Sequence, residues 1–192
     1  MPALHADKPG AGGPGLPPSK TMVVHSADGT RLHTEVFGPS NGYPIVLAHG
    51  ITCSLKVWYE QINDLSRDHR VIAYDHRGHG RSGVPAASAY SLDHLAADLD
   101  AVLAAVLRPG ERAVVAGHSM GGIAISSWSD RFRHRVEQRV DAVALINTTT
   151  GDLLDKIQLL PVPGMFRATR VASARTMIRS LGGAPLVQGT QP

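Results

Sequence analysis

The sequence predicts an α/β fold, a mostly parallel sheet with helices on both of its faces. Three observations predict it. Apolar residues come in continuous runs of four or five, the pattern of strands buried on both faces, and not in the alternation of a half-exposed sheet. The segments between the runs repeat their apolar residues at three- and four-residue steps, the period of a helix. The stretch Val114 to Trp128 passes from an apolar run through Gly117-His118-Ser119-Met120-Gly121 into a helix-compatible run, which reads as strand, sharp turn and helix. At 192 residues and 43% apolar, the chain suits one domain with a sizeable core.

Taken in order, residues 1–20 are rich in Pro and Gly and are expected to form a disordered leader. Residues 21–38 read as a hairpin. Met22–Val24 and Leu32–Phe37 flank Asp28-Gly29, a dipeptide that favours a tight turn. Four continuous runs follow, Ile45–Ala48, Val71–Tyr74, Ala113–Ala116 and Ala142–Ile146, each expected to be a strand buried on both faces. Leu55–Leu65 predicts a short helix carrying Trp58, read as a packing residue, and Ile62. Leu92, Leu95, Ala96, Leu99, Val102, Leu103 and Val106 predict a longer helix with Ser91 as its N-cap, stopped by Pro109-Gly110. With right-handed crossovers, the ligand end of such a sheet is the carboxyl end of its strands, where Ser119 falls. After Thr150 the rhythm changes. Leu153–Leu160 and Phe166–Leu181 are helix candidates separated by Pro161-Val162-Pro163-Gly164. The second sets Arg167, Arg170, Arg175 and Arg179 among Val171, Met177 and Ile178, and is read as an amphipathic helix packed on the domain in preference to one lying on a membrane.

Composition narrows the function classes. A net charge of +3 is too mild to argue for nucleic acid, and the run Arg131, Arg133, Arg135, Arg139 is read as a solvated helix end or loop. With Cys53 as its single cysteine, the chain has no disulfide scaffold, and Cys53 is read as a small packing residue. The amino terminus lacks the apolar core of a signal peptide, and no run reaches the length of a membrane span, so a cytoplasmic location is the default expectation.

The chemistry centres on Ser119. A serine between a strand and a helix stands at the tip of the turn with its hydroxyl exposed above the sheet. Gly117 and Gly121 are needed because side chains would collide where strand and helix cross. The helix that follows aims free backbone N–H groups at the same point, where they would stabilise an anion forming beside Ser119 Oγ. That is the arrangement of an activated nucleophile for acyl transfer. Small residues at such a turn serve packing as well, so the motif alone does not separate a catalytic from a structural turn.

Three signatures lie in order at predicted strand ends: His49-Gly50-Ile51-Thr52, Asp75-His76-Arg77-Gly78-His79-Gly80-Arg81-Ser82 and Gly117-His118-Ser119-Met120-Gly121. Together, over about Thr21 to Thr150, they resemble the α/β-hydrolase superfamily, specifically its serine esterase and lipase-like members. The resemblance implies Ser119 as nucleophile, with oxyanion N–H donors from Met120 and Ile51 on neighbouring strands. His49, Gly50, Gly117, His118 and Gly121 then shape the supporting turns. The 75–82 segment is structural by the same resemblance, with Asp75 and Arg77 bonded to loop backbone. His76 and His79 are a weak metal pair without a third ligand, so neither a metal nor a cofactor is expected. Dehalogenases and epoxide hydrolases of the superfamily place Asp where Ser119 stands. The expected partner is therefore a small-molecule ester or other acyl substrate, with thioesters, lactones, certain carbon–carbon bonds and perhydrolysis as alternatives, and neither nucleic acid nor a membrane span.

The sequence departs from the superfamily after Ser119. The order there is Ser, acid, His, yet the only later histidine is His134, in the polar run before the sixth strand, at the end of the sheet away from Ser119. After that strand, where the acid sits in rarer cases, the chain reads Asn147-Thr148-Thr149-Thr150; Asp152 and Asp155 follow without a persuasive place. The expected organisation is a leader at 1–20, a core at 21–150 that is the amino-terminal part of the fold, and partial cap helices at 151–192, the fold being incomplete at its carboxyl end. The alternative is a short protein that keeps the pocket and binds without turnover. The first is preferred because a sheet that stopped at its sixth strand would leave an apolar edge unpaired.

Overall fold

The computed structural model describes residues 15–86 and 88–150. The foremost part of the expected leader and both helix candidates of 151–192 lie outside the described residues. Within them, strands β1 (Ser19–His25), β2 (Arg31–Phe37), β3 (Pro44–Ala48), β4 (Arg70–Tyr74), β5 (Ala113–His118) and β6 (Val140–Ile146) form one sheet in the order β1-β2-β4-β3-β5-β6. The hairpin β1–β2 pairs antiparallel and joins β4 antiparallel; β4, β3, β5 and β6 run parallel. This is the predicted α/β architecture. Its connections are a 3-10 turn at Leu55–Trp58 leading into α1 (Tyr59–Leu65), then α2 (Leu92–Val106), α3 (Met120–Arg131) and α4 (Arg133–Arg139).

The continuous apolar runs are explained by two cores, one on each face. Strand residues alternate sides, so Val46, Ala48, Ile72 and Tyr74 meet Leu99, Val102 and Leu103 of α2 and Ile125 and Trp128 of α3. Ile45, Leu47, Val71 and Ala73 turn the other way, onto Leu55, Trp58 and Ile62. Trp58 is therefore a core residue, as the sequence suggests. Ser91 accepts from the His94 N–H and caps α2.

Two expectations need correction. Ser19 and Lys20, placed in the leader, are the first residues of β1 and pair with Phe37 and Val36. Ser19 Oγ also donates to Glu35 at 2.8 Å, and Leu16 packs against the second core. The pairing that sets the register outweighs the poor strand propensity of the preceding prolines. Ala142–Ile146 is a strand but is not buried on both faces among the described residues: Val143, Leu145 and Ile146 are 42%, 43% and 39% exposed. Among the described residues it is the outer strand, with a neighbour only in β5. Among the described residues no helix is long and apolar enough to cross a membrane.

Candidate active site

β5 ends at His118 and α3 begins at Met120, so Ser119 alone makes the turn between them, at φ 51° and ψ −113°. A side chain at positive φ outside the left-handed well is strained, at a cost on the order of 1–3 kcal/mol that the surroundings must offset. The Ser119 N–H donates to the Ile146 carbonyl at 3.0 Å, and the Ser119 carbonyl accepts from the N–H groups of Gly122 and Ile123 at 3.0 and 3.2 Å. Those are the first bonds of the helix, which leaves the N–H groups of Met120 and Gly121 at its free end. The crossing is tight. A Cβ on Gly117 would lie 2.5 Å from the Gly121 carbonyl carbon, and one on Gly121 would lie 2.1 Å from the Ala48 oxygen. No side chain fits at either position.

β3 lies directly beside β5, with Ala48 opposite Gly117. Continuing past both strand ends brings His49-Gly50 alongside His118-Ser119. A Cβ on Gly50 would stand 2.8 Å from His118 Nδ1 and 3.3 Å from Ser119 Cβ. His49 is wholly buried. Its Nε2 accepts from the His76 N–H at 3.0 Å, so its ring proton resides on Nδ1, which donates to the Gly50 carbonyl at 2.7 Å. Burial lowers the His49 pKa to about 4, the Gly50 bond and the Asp75 charge only partly opposing it, which keeps this neutral tautomer in place. In a trans peptide the carbonyl and the next N–H point in opposite directions. By holding the Gly50 oxygen, His49 aims the Ile51 N–H the other way. The Gly50 oxygen also accepts from the Cys53 N–H at 3.3 Å, which closes a turn in which Thr52 takes φ 61°. A β-branched residue there is strained, and nothing in the sequence pattern marks it.

The 75–82 loop braces this end of the sheet from beneath. Asp75 accepts the N–H of Leu55 at 2.7 Å and of Arg81 at 2.8 Å, and Gly80 closes over its carboxylate with φ 50°. A Cβ on Gly80 would lie 2.2 Å from Asp75 Oδ2. Arg77 does bond loop backbone, at the Ala89 carbonyl, but its main partners are carboxylates that the sequence reading missed. It binds Asp98 of α2 through Nε at 2.6 Å and Nη2 at 2.5 Å, and Asp28 of the hairpin turn at 2.8 Å. Asp98 is wholly buried among the regularly spaced apolar residues of α2, a pattern in which a single carboxylate carries no signal of its own.

His76 packs its ring on His49 and Tyr74, with centroids 4.7 and 4.9 Å apart, and neither ring nitrogen has a hydrogen-bond partner. Burial holds its pKa well below the ordinary range. Among the described residues no group of three or more His, Cys, Asp or Glu side chains could hold a metal ion. His118 leaves its Nδ1 buried without a partner beside Gly50. His134 is exposed in α4, which feeds the amino end of β6, whereas Ser119 follows the carboxyl end of the parallel strand β5.

Comparison with known proteins follows the same lines. A family model described as "alpha/beta hydrolase fold" matches residues 43–192. The chain is 42% identical over 101 residues to the non-heme chloroperoxidase of Streptomyces lividans, covering 52% of this chain and 36% of that protein. It superposes on the esterase RhEst1 of a Rhodococcus species with a TM-score of 0.63 and 28% identity, covering 86% of this chain and 68% of that one. Epoxide hydrolase A of Mycobacterium thermoresistibile superposes with a TM-score of 0.57 and 30% identity, covering 66% of this chain and 38% of that one. The chain spans 27% to 36% of the length of the first curated relatives it matches.

Proposed function

The chain belongs to the alpha/beta hydrolase fold family, and on that premise we propose that Ser119 is the nucleophile of a carboxylic ester hydrolase acting through an acyl-enzyme. The observation that carries the reading is the strained Ser119 turn, φ 51°, set close beside Gly50, where a Cβ would stand 2.8 Å from His118 Nδ1 and 3.3 Å from Ser119 Cβ. Strain of this kind persists where the surroundings over-determine it, and it gathers at functional sites. Serine at this position favours acyl chemistry over epoxide or haloalkane chemistry, for which the superfamily uses Asp.

In the proposed mechanism Ser119 Oγ attacks the ester carbonyl and the carbonyl oxygen gains negative charge. The N–H groups of Met120 and Ile51 donate to that oxygen, each worth about 3–4 kcal/mol in the transition state. The Oγ proton passes to the departing alkoxide, which leaves as the alcohol, and water later releases the acid and restores Ser119. Thioesters, carbon–carbon bonds next to a carbonyl and perhydrolysis use the same nucleophile and oxyanion donors. A second reading, a hydrolase-like protein that binds without turnover, is favoured by one observation: the described residues bring no histidine base to Ser119.

The test is intact-mass detection of Ser119 phosphonylation by a fluorophosphonate, beside hydrolysis of a p-nitrophenyl ester. Slow labelling that disappears in Ser119→Ala supports the nucleophile. A label on another residue, or none after prolonged exposure to millimolar reagent, would overturn it.

A further inference from the structure

We propose that Thr148 is a positioning residue that holds the Ser119 peptide and so aims the Met120 N–H; this rests on the reading of Ser119 as nucleophile. Thr148 lies just beyond β6, and its Oγ1 donates to the Ser119 carbonyl at 2.6 Å. That oxygen already receives the first two helical N–H groups, from Gly122 and Ile123, so the threonine bond is additional to what the start of α3 requires. A residue in the unfavourable conformation of Ser119 needs such external holding.

The surrounding chain is arranged to deliver the hydroxyl. Asn147 takes φ 45°, turning the chain as it leaves β6. The Ser119 N–H is tied to Ile146, so β6 and its exit hold Ser119 at both its amide and its carbonyl. Gly122 makes the room: a Cβ there would come within 2.4 Å of Thr148 Cγ2 and 2.6 Å of its Oγ1.

The consequence follows from peptide geometry. There are no cis bonds among the described residues, so the Ser119 carbonyl and the Met120 N–H point in opposite directions across one rigid plane. Anchoring the oxygen fixes the direction of the donor. His49 does the same for Ile51 through the Gly50 carbonyl. Each of the two oxyanion donors is thus aimed by a side chain bonded to the carbonyl of its own peptide, one from the loop after β3 and one from the loop after β6.

Thr148→Val keeps the shape and loses the hydroxyl; Thr148→Ser keeps the hydroxyl and loses the methyl. Both variants of the full chain, once shown to melt cooperatively, are compared with wild type by the rate of Ser119 phosphonylation and by amide hydrogen exchange at residues 119–123. Loss of aim should cost less than the roughly 10²–10³-fold of losing an oxyanion donor outright, so Val is expected to slow labelling on the order of tenfold. It should also speed exchange around Ser119 while the amides of β3 and β4 keep their protection. Ser should match wild type within about threefold in both readouts, the hydroxyl being preserved. Val behaving as wild type, or Ser failing where Val succeeds, would assign Thr148 to packing over Gly122 and overturn the proposal. If the wild-type chain takes no label, the nucleophile reading falls, and unchanged exchange in Val then overturns the structural hold as well.

Discussion

Two buried histidines set how the molecule should respond to acid. His49 and His76 are held neutral, with burial the leading cause, His49 at about 4 against an ordinary 6.5 and His76 well below it. Above pH 6.5 both are neutral folded or unfolded, and their contribution to stability is fully present. As the pH falls below 6.5 the unfolded chain takes up protons that the folded chain refuses, so stability is lost; for His49 the loss ends near pH 4. The expected slope is at most about 1.4 kcal/mol per pH unit for each histidine. Urea midpoints measured between pH 7 and pH 4 should fall accordingly. His76→Phe should flatten the slope and leave stability at pH 7 unchanged or raised by up to about 1 kcal/mol, because the ring nitrogens it removes have no partners. A steeper fall in the variant would show that His76 is satisfied in solution. Arg77 makes the opposite case. Arg77→Met leaves Asp98 wholly buried without its counter-ion, and is expected to cost about 3–5 kcal/mol. The double variant Arg77→Met, Asp98→Leu should recover much of that, measured by the same urea melts.

At the scale of elements, the first strand and the residues just before it already contribute to the core. Deleting residues 1–14 is expected to leave the thermal midpoint in place. Deleting residues 1–20 removes the Ser19–Glu35 bond, two pairing positions of β1 and the contact of Leu16 with the core. A loss of roughly 1–2 kcal/mol corresponds to several degrees in a domain of this size. Equal midpoints for the two deletions would show that β1 does not need its first residues. The Ser19 bond also helps keep the Glu35 pKa down at about 2, after the larger effect of its bond to His33.

At the scale of the whole molecule, the proposed nucleophile and its proposed oxyanion donors are separable from the base. In a serine hydrolase, loss of the histidine alone costs on the order of 10⁶ in kcat, and what survives is about 10³–10⁴ over water. The only histidine after Ser119 is His134, exposed in α4 at the far end of the sheet. The 192-residue chain is therefore expected to show no burst of p-nitrophenol and little steady turnover. A fast, Ser119-dependent burst in stopped-flow measurements would mean that a histidine already present, or a second molecule, reaches the serine.

Much of this was legible in the sequence because it is local or periodic. A run such as Ile45–Ala48 has to be covered on both faces wherever it sits, and the apolar spacing of α2 gives its length and its buried side without any partner being known. The turn at Ser119 was legible for a steric reason, since only small residues fit where a strand and a helix cross so closely. Other features depend on which distant residues the sheet order brings together, and no pattern along the chain records that. Arg77 reads as a loop residue until β4, α2 and the hairpin turn converge on it. His49 reads as part of a turn until the His76 amide fixes its tautomer. Thr148 reads as one threonine in a row of three until β6 is laid beside β5 and the Ser119 carbonyl is found under its hydroxyl. The sequence by itself determined the strands of the sheet, the helices after β3 and β4 and the sharp turn at Ser119, because sterics and burial act on neighbours in the chain. Only the tertiary structure decided what holds that turn, because hydrogen bonds and ion pairs act through space between residues the chain keeps apart.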